Sequence, residues 1–231
     1  MIPVFITVRD LFDAPRTLAK QVSSLTDGHP VLLDCASTFP MTVAWLESGE
    51  FEAHRFANLG NNVAWNSGMV LPAEEHIAKY GHPYFVVTDG DIDLTGCPVD
   101  LLVDMTRCLD EFPDKLKIGL SLQIGDLPRC NRQRDQIIGH ECKFWAHRVQ
   151  GLSSTLYAAD SDTHFCMYRA GSGWGGYDSL RIGHPYVGRH VPWYWNPDNL
   201  PIDAKWYIKH MDRQFSTWAT KISVDASASP Q

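Results

Sequence analysis

Short apolar runs, alternating with helix-patterned stretches, constrain this chain more than any other feature. Pro3 to Val8, Val31 to Leu33, Phe51 to Phe56, Tyr84 to Thr88 and Ile118 to Ile124 each have the length and β-branched or aromatic content of a strand. Between them, Leu18, Val22 and Leu25 recur at helical spacing, Thr42 to Leu46 reads as a short helix, and Leu101, Leu102, Met105, Cys108, Leu109 and Phe112 mark one apolar helix face. Asp13-Ala14-Pro15 opens the first helix, with Asp13 as N-cap. Strand alternating with helix predicts an α/β fold with a mostly parallel central sheet and helices on both faces. After residue 125 the pattern loosens. Asn131 to Arg148 reads as a polar helix, Leu156 to Tyr168 contains strands, Ala170 to Tyr177 is glycine-rich, and Pro201 to Thr220 forms a last helix beginning near Asp203.

No internal repeat divides the chain. The reading is one domain over 1–223, with a binding half (1–125), a less regular half (126–223) and a flexible tail at 224–231. A net charge of −7 from 20 basic and 27 acidic residues argues against a dedicated nucleic-acid binder. No apolar run approaches the roughly 20 residues of a membrane-spanning helix. The first residues do not make a signal peptide, so a cytoplasmic location is expected. The six cysteines contain no C-x-x-C pair, which leaves zinc-ribbon and thioredoxin chemistry without support. They read as reduced thiols, with Cys108 and Cys166 in the core.

Ligands of open α/β sheets bind beyond the carboxyl ends of the strands. Asp89-Gly90-Asp91 stands at such an end, with Asp93 nearby. Residues two apart in extended chain project to one side, and two carboxylates there repel each other and resist desolvation. A divalent cation removes that conflict and bridges to a diphosphate. The plainer alternative is an acidic turn facing water. Gly90 is expected to let the backbone approach a ligand closely.

The ordered set of segments resembles a GT-A glycosyltransferase of the family 2 type. Pro3 to Arg9 is similar to the opening nucleotide-holding strand. Leu33-Asp34-Cys35-Ala36-Ser37-Thr38 is similar to the second-strand D-x-x-S-T element. Asn58-Leu59-Gly60 with Ala64-Trp65-Asn66-Ser67-Gly68 is similar to the N-x-G…N-x-G stretch, and Tyr84 to Asp91 supplies the D-x-D. The resemblance covers about the first 125 residues. It implies a transferase that moves a sugar from a nucleotide-diphosphate donor, most often a UDP-sugar, to an acceptor hydroxyl. Thr7, Arg9, Asp34, Asn58, Asn66 and Asp89 would then line the donor site, with Asp34 reading the base. Asp34, Asn58 and Asn66 have capping or turn roles as their alternatives.

The resemblance further implies Asp89 and Asp91 as metal ligands, with a late histidine as another. His190 is the choice, ahead of His210 and His184. Carboxylate with imidazole suits Mn²⁺ somewhat better than Mg²⁺. Trp193 and Tyr194 are candidate acceptor platforms, with packing against the sheet as the alternative. Arg181 or Arg189 would stabilise the leaving diphosphate. Two departures stand out. Trp65 replaces the family's arginine before the second N-x-G. The acidic pair that supplies a catalytic base is absent from the second half, where Asp160, Asp162 and Asp203 are the substitutes. Asp162 and Asp203 are the catalytic candidates, and inverting and retaining outcomes both stay open. The acceptor (glycan, lipid, protein or modified base) is not specified.

Two other classes share parts of this pattern. A sugar nucleotidyltransferase requires a G-x-G-x-R-like loop after the first strand, and Thr7 to Leu11 contains no glycine. A non-catalytic carbohydrate-binding or scaffold domain is compatible with the eight tryptophans. The costly Asp89 and Asp91 pair argues against it. The glycine-rich stretch lacks phosphate-loop spacing and is expected to be a flexible loop near the acceptor that closes over the donor.

Overall fold

The computed structural model describes residues 1–150, 154–175 and 178–211. Strands and helices follow in the order β1 Ile2–Val8, α1 Asp13–Ser24, β2 Gly28–Cys35, α2 Pro40–Glu47, β3 Glu52–Phe56, α3 Val63–Asn66, α4 Ala73–Tyr80, β4 Tyr84–Asp89, β5 Ile92–Asp93 and α5 Leu101–Glu111. The second half adds β6 Lys117–Leu122, α6 Arg134–Glu141, β7 Arg148–Val149, β8 Leu156–Ala158, β9 Cys166–Arg169, β10 Leu180–His190 and α7 Ile202–His210. The expected tail at 224–231, and the last helix beyond 211, lie outside the described residues.

The expected α/β class with a largely parallel sheet and helices on both faces holds. The sheet runs β3-β2-β1-β4-β9-β6-β10-β8-β7, with β5 paired to β10 off this path. β1, β2, β3 and β4 are mutually parallel, and β6 is parallel to β10. β9 is antiparallel to both β4 and β6 and fills the gap between them. Side chains alternate across β1. Val4, Ile6 and Val8 join Leu18, Val22, Leu101 and Met105 on one face, and Phe5 joins Val31, Val63, Ala64 and Phe85 on the other. Helices α1 and α5 therefore cover the first face and α3 the second.

Three local readings need correction. Gly28-His29-Pro30 does not break the chain; it is the first part of β2, paired to Ile2 through Val4. Asp13 is not the N-cap of α1, because Phe12 holds that position and makes no side-chain cap. The longest strand among the described residues, β10, does not follow from the sequence pattern. Its apolar alternation is interrupted by Gly183, Pro185 and Gly188, and its pairing to β6 shifts register between Ile182 and Val187.

Candidate functional site

The site forms where β1, β2 and β4 end. Non-glycine residues with positive φ cluster there: Asp10 at 55°, Ala36 at 58°, and Phe165 at 58° on the loop into β9. Such backbone is costly and is held only by surrounding contacts. Asp10 supplies several. Its buried carboxylate accepts N–H bonds from Thr38 and Phe39 ahead of α2, and its own N–H donates to Ser37 Oγ at 2.8 Å. Arg9 Nη1 donates to the carbonyls of Cys35 and Ala36, which ties the end of β1 to that of β2.

A solvent-open cleft of about 310 Å³ lies beside these ends, lined by Thr7, Arg9, Cys35, Asn58, Gly60, Asn61 and Tyr207. Thr7 Oγ1 is buried and has no partner among the described residues. The structure thus brings together three donor candidates, Thr7, Arg9 and Asn58. Asn58 also makes the turn that was its alternative, accepting the Gly60 N–H at 3.4 Å. Two others fall outside. Asn66 is exposed at the end of α3 and does not line the cleft. Asp34 pairs in register with Val8 and Thr7 with Leu33, so Asp34 and Thr7 lie on opposite faces of the sheet. Asp34 Oδ1 accepts the Ser37 N–H at 2.9 Å and Oδ2 faces Arg55 Nε at 3.0 Å. Burial raises its pKa against these contacts. The turn role, not base reading, is the one its geometry fits.

Beyond β4 the carboxylates gather. Asp89 receives the Thr163 hydroxyl at 3.0 Å, and its N–H donates to the Thr163 carbonyl at 3.0 Å. This locks the 160–165 loop to the end of β4. Burial, followed by the charges of Asp91 and Asp162, pushes the Asp89 carboxyl well above the usual range. Asp162 is exposed at this edge. Asp91 is buried; its Oδ2 lies 3.5 Å from His190 Nε2, and its Oδ1 has no partner among the described residues. His190 Nδ1 is likewise buried and unpartnered. The antiparallel pairing of β5 with β10 sets His190 opposite Ile92, and the Val191 N–H donates to the Asp91 carbonyl at 2.8 Å. Among the described residues, no three His, Cys, Asp or Glu side chains are already arranged as a metal cage.

Gly90 is needed for a reason other than ligand approach. A Cβ there would stand 2.6 Å from the Thr7 carbonyl and 3.0 Å from Pro15 Cβ. Asp93 belongs to its own turn, accepting from Gln21 Nε2 at 2.6 Å and Thr95 Oγ1 at 2.7 Å.

Several second-half candidates are committed elsewhere. Asp203 Oδ2 accepts the Phe12 N–H at 2.9 Å and the Asp13 N–H at 3.3 Å, while Oδ1 accepts the Ala204 N–H at 2.8 Å. It caps α1 from the far end of the chain, and both oxygens are occupied, which suits a general base poorly. Arg181 is 3% exposed. It pairs with Glu141 at 3.0 Å, donates Nε to the Asp160 carbonyl at 2.6 Å, and lies 3.9 Å from the Phe144 ring centre. That position does not suit a diphosphate contact. Arg189 is bound to Asp126 at 2.8 Å. Tyr194 donates to Asp126 at 2.7 Å rather than presenting a free hydroxyl. Trp193 lies 4.8 Å from the His190 ring and is partly buried against the core. His184 packs against Trp145, and His210 against Trp206.

Trp65, in place of the family's arginine, is a packing residue. Its ring meets Phe85 and Tyr168 edge-on, and its Nε1–H donates to the Ser172 carbonyl at 3.1 Å. The glycine-rich segment is therefore anchored at Ser172; Gly176 and Tyr177 lie outside the described residues. Two functional candidates escaped sequence reading. Ser121 is 1% exposed on β6, and its hydroxyl has no partner among the described residues. Lys117 at the start of β6 is fully buried. A lone polar residue in an apolar strand was the available signal for both.

No family model matches the chain, and no curated protein matches it either. Solved structures give distant likenesses. TarS of S. aureus aligns at 10% identity and TM-score 0.49, over 97% of this chain and 42% of TarS. A TarS 1–349 structure gives 11% and 0.43, over 73% and 47%. This chain thus spans less than half of either. Glucosyl-3-phosphoglycerate synthase from Mycobacterium tuberculosis, solved with Mn²⁺ and UDP-glucose, aligns at 13% and 0.42, over 100% of this chain and 80% of that one. Likenesses this distant carry neither activity nor substrate to this chain.

Proposed function

We propose that the chain is a metal-dependent glycosyltransferase of the GT-A kind, moving a sugar from a nucleotide-diphosphate donor, a UDP-sugar first among them, to an acceptor hydroxyl. One observation carries the reading. At the end of a central parallel strand, a buried Asp91 oxygen and a buried His190 nitrogen have no partner among the described residues, and the Asp91–His190 pair sits beside Asp89 and Asp162. Unpartnered buried polar atoms are uncommon and call for an explanation.

Two of the residues, Asp91 and His190, offer a carboxylate and an imidazole to a divalent cation. Asp91 and His190 would hold Mn²⁺ or Mg²⁺, with Asp89 alongside, and hard oxygen with imidazole suits Mn²⁺. When bound, the ion neutralises the diphosphate as it leaves. Thr7, Arg9, Asn58 and Asn61 take the nucleoside end in the cleft. Thr163 fixes the Asp89 carboxylate. Asp162, exposed beside Asp89, accepts the acceptor hydroxyl's proton. Trp193 packs on His190 and holds its ring in place.

Equilibrium binding of UDP with and without Mn²⁺ tests the reading. We expect Mn²⁺ to tighten UDP binding at least ten-fold and Asp91→Asn to erase the gain. A panel of nucleotide-sugars incubated with Mn²⁺ should then show hydrolysis of one donor. Metal-independent UDP binding, or no UDP binding at all, would end the proposal.

A further inference from the structure

The cleft beside the ends of β1 and β2 is not built from the sheet and its first loops alone. One lining residue, Tyr207, comes from α7, close to the last described residue. Three contacts hold α7 there. Asp203 caps the Phe12 and Asp13 N–H groups. The Trp206 indole N–H donates to Thr38 Oγ1 at 3.1 Å, and the Trp206 ring lies 5.7 Å from that of Phe39. Residues four apart share one helix face, so Tyr207 stands one turn beyond Asp203 and is carried to the cleft by the same docking. The helix buries Asp203 and Ala204 while Ile202 is 72% exposed, so an apolar stripe is not what fixes its position.

Tyr207 brings the cleft something its other walls lack. Among the described residues it is the one aromatic ring in the lining. Arg9, the other flat group, has its Nη1 committed to the carbonyls of Cys35 and Ala36. The Thr7 hydroxyl and the Asn58 and Asn61 amides are groups that hydrogen-bond a base edge or a ribose. A half-buried ring beside them offers the stacking face that a planar base takes. Thr7 also pairs in register with Asp89, which sets the cleft one strand spacing from the carboxylates. A nucleoside diphosphate has this layout, with a flat base at one end and its phosphates at the other.

We infer that Tyr207 is a donor-binding residue, its ring stacking on the base of the nucleotide, and that α7 closes the nucleoside end of the cleft. The inference deepens the donor-binding reading above and rests on it. A stacking ring acts on the base and not on the diphosphate. A residue that merely keeps the cleft in shape acts on both.

The test measures Kd for UDP and for inorganic pyrophosphate, each with Mn²⁺, on the full chain and on its Tyr207→Leu and Tyr207→Phe variants. Tyr207→Leu should weaken UDP on the order of ten-fold and leave pyrophosphate unchanged. Tyr207→Phe should keep the parent's affinity for both. An equal loss for UDP and pyrophosphate in Tyr207→Leu overturns the inference, and so does tighter UDP binding, the sign of a ring that blocks the cleft. A loss in Tyr207→Phe as large as in Tyr207→Leu overturns it too, because the hydroxyl and not the ring would then be the contact. Dihydrouridine diphosphate, whose saturated base stacks poorly, gives a measurement on the parent that holds even where Tyr207→Leu fails to fold. It should bind more weakly than UDP, and equal affinity overturns the inference. If the parent shows Mn²⁺-dependent UDP binding that Tyr207→Leu matches, this inference alone falls. If the parent binds no UDP, the glycosyltransferase reading falls, and this one with it.

Discussion

Arg181 and Glu141 form an ion pair with side chains 3% and 6% exposed. Removing one partner leaves the other charged and buried, which commonly costs about 3–5 kcal/mol. Arg181→Met and Glu141→Gln should each lower the urea midpoint strongly. The double variant Arg181→Met/Glu141→Leu should recover much of the loss. If the singles were neutral, the pair would not be holding α6 to β10. This arginine was the residue least legible from sequence. Arginine is almost never fully buried unless paired, and its partner lies 40 positions away on a helix that reads as polar. Asp91 was legible because a strand pointed at it. Asp203 was not, since the Phe12 and Asp13 N–H groups that it caps sit almost the whole chain away.

Two elements depend on such distant contacts. Helix α1 begins without a cap of its own, and Asp203 on α7 supplies one. Asp203→Ala should cost about 1–2 kcal/mol in chemical denaturation and leave the Mn²⁺-dependent gain in UDP affinity in place. Loss of that gain with stability unchanged would make Asp203 part of the site rather than a cap alone. Helix α4 rests on His76, which is fully buried and donates Nε2–H to the Tyr84 carbonyl at 3.2 Å. Burial holds its pKa below the ordinary histidine value of 6.5. The fold accepts the neutral ring, so protonation favours unfolding. This contribution is complete above pH of about 6.5 and is lost as pH falls from there to the folded value. Thermal midpoints at pH 7.5, 6.5 and 5.5 should drop more steeply in the parent than in His76→Phe. Parallel slopes would remove His76 as a cause. Strands β1, β4 and β6 and helices α1 and α5 were readable because each carries its own period, whereas the short α4 and β5 were not read. β10 was not, because glycine, proline and a register shift break its alternation.

At the scale of the molecule, the two halves expected from sequence share one sheet. β9 joins β4 to β6, and β10 brings His190 to β5. A chain ending at residue 125 would leave the edges of β4 and β6 open, and such edges invite association with other chains. Its expected behaviour is aggregation, or at most non-cooperative unfolding by circular dichroism; a monomeric, cooperative fragment would contradict the shared sheet. The same arrangement orders events at the ribosome. The early strands can pair as they emerge, in the usual N-to-C sequence of folding, but the sheet stays in two pieces until residue 169 is made. The Asp91–His190 pair is absent until residue 190 follows. A nascent chain therefore carries Asp89 and Asp91 while the next 99 residues are made, their imidazole still untranslated.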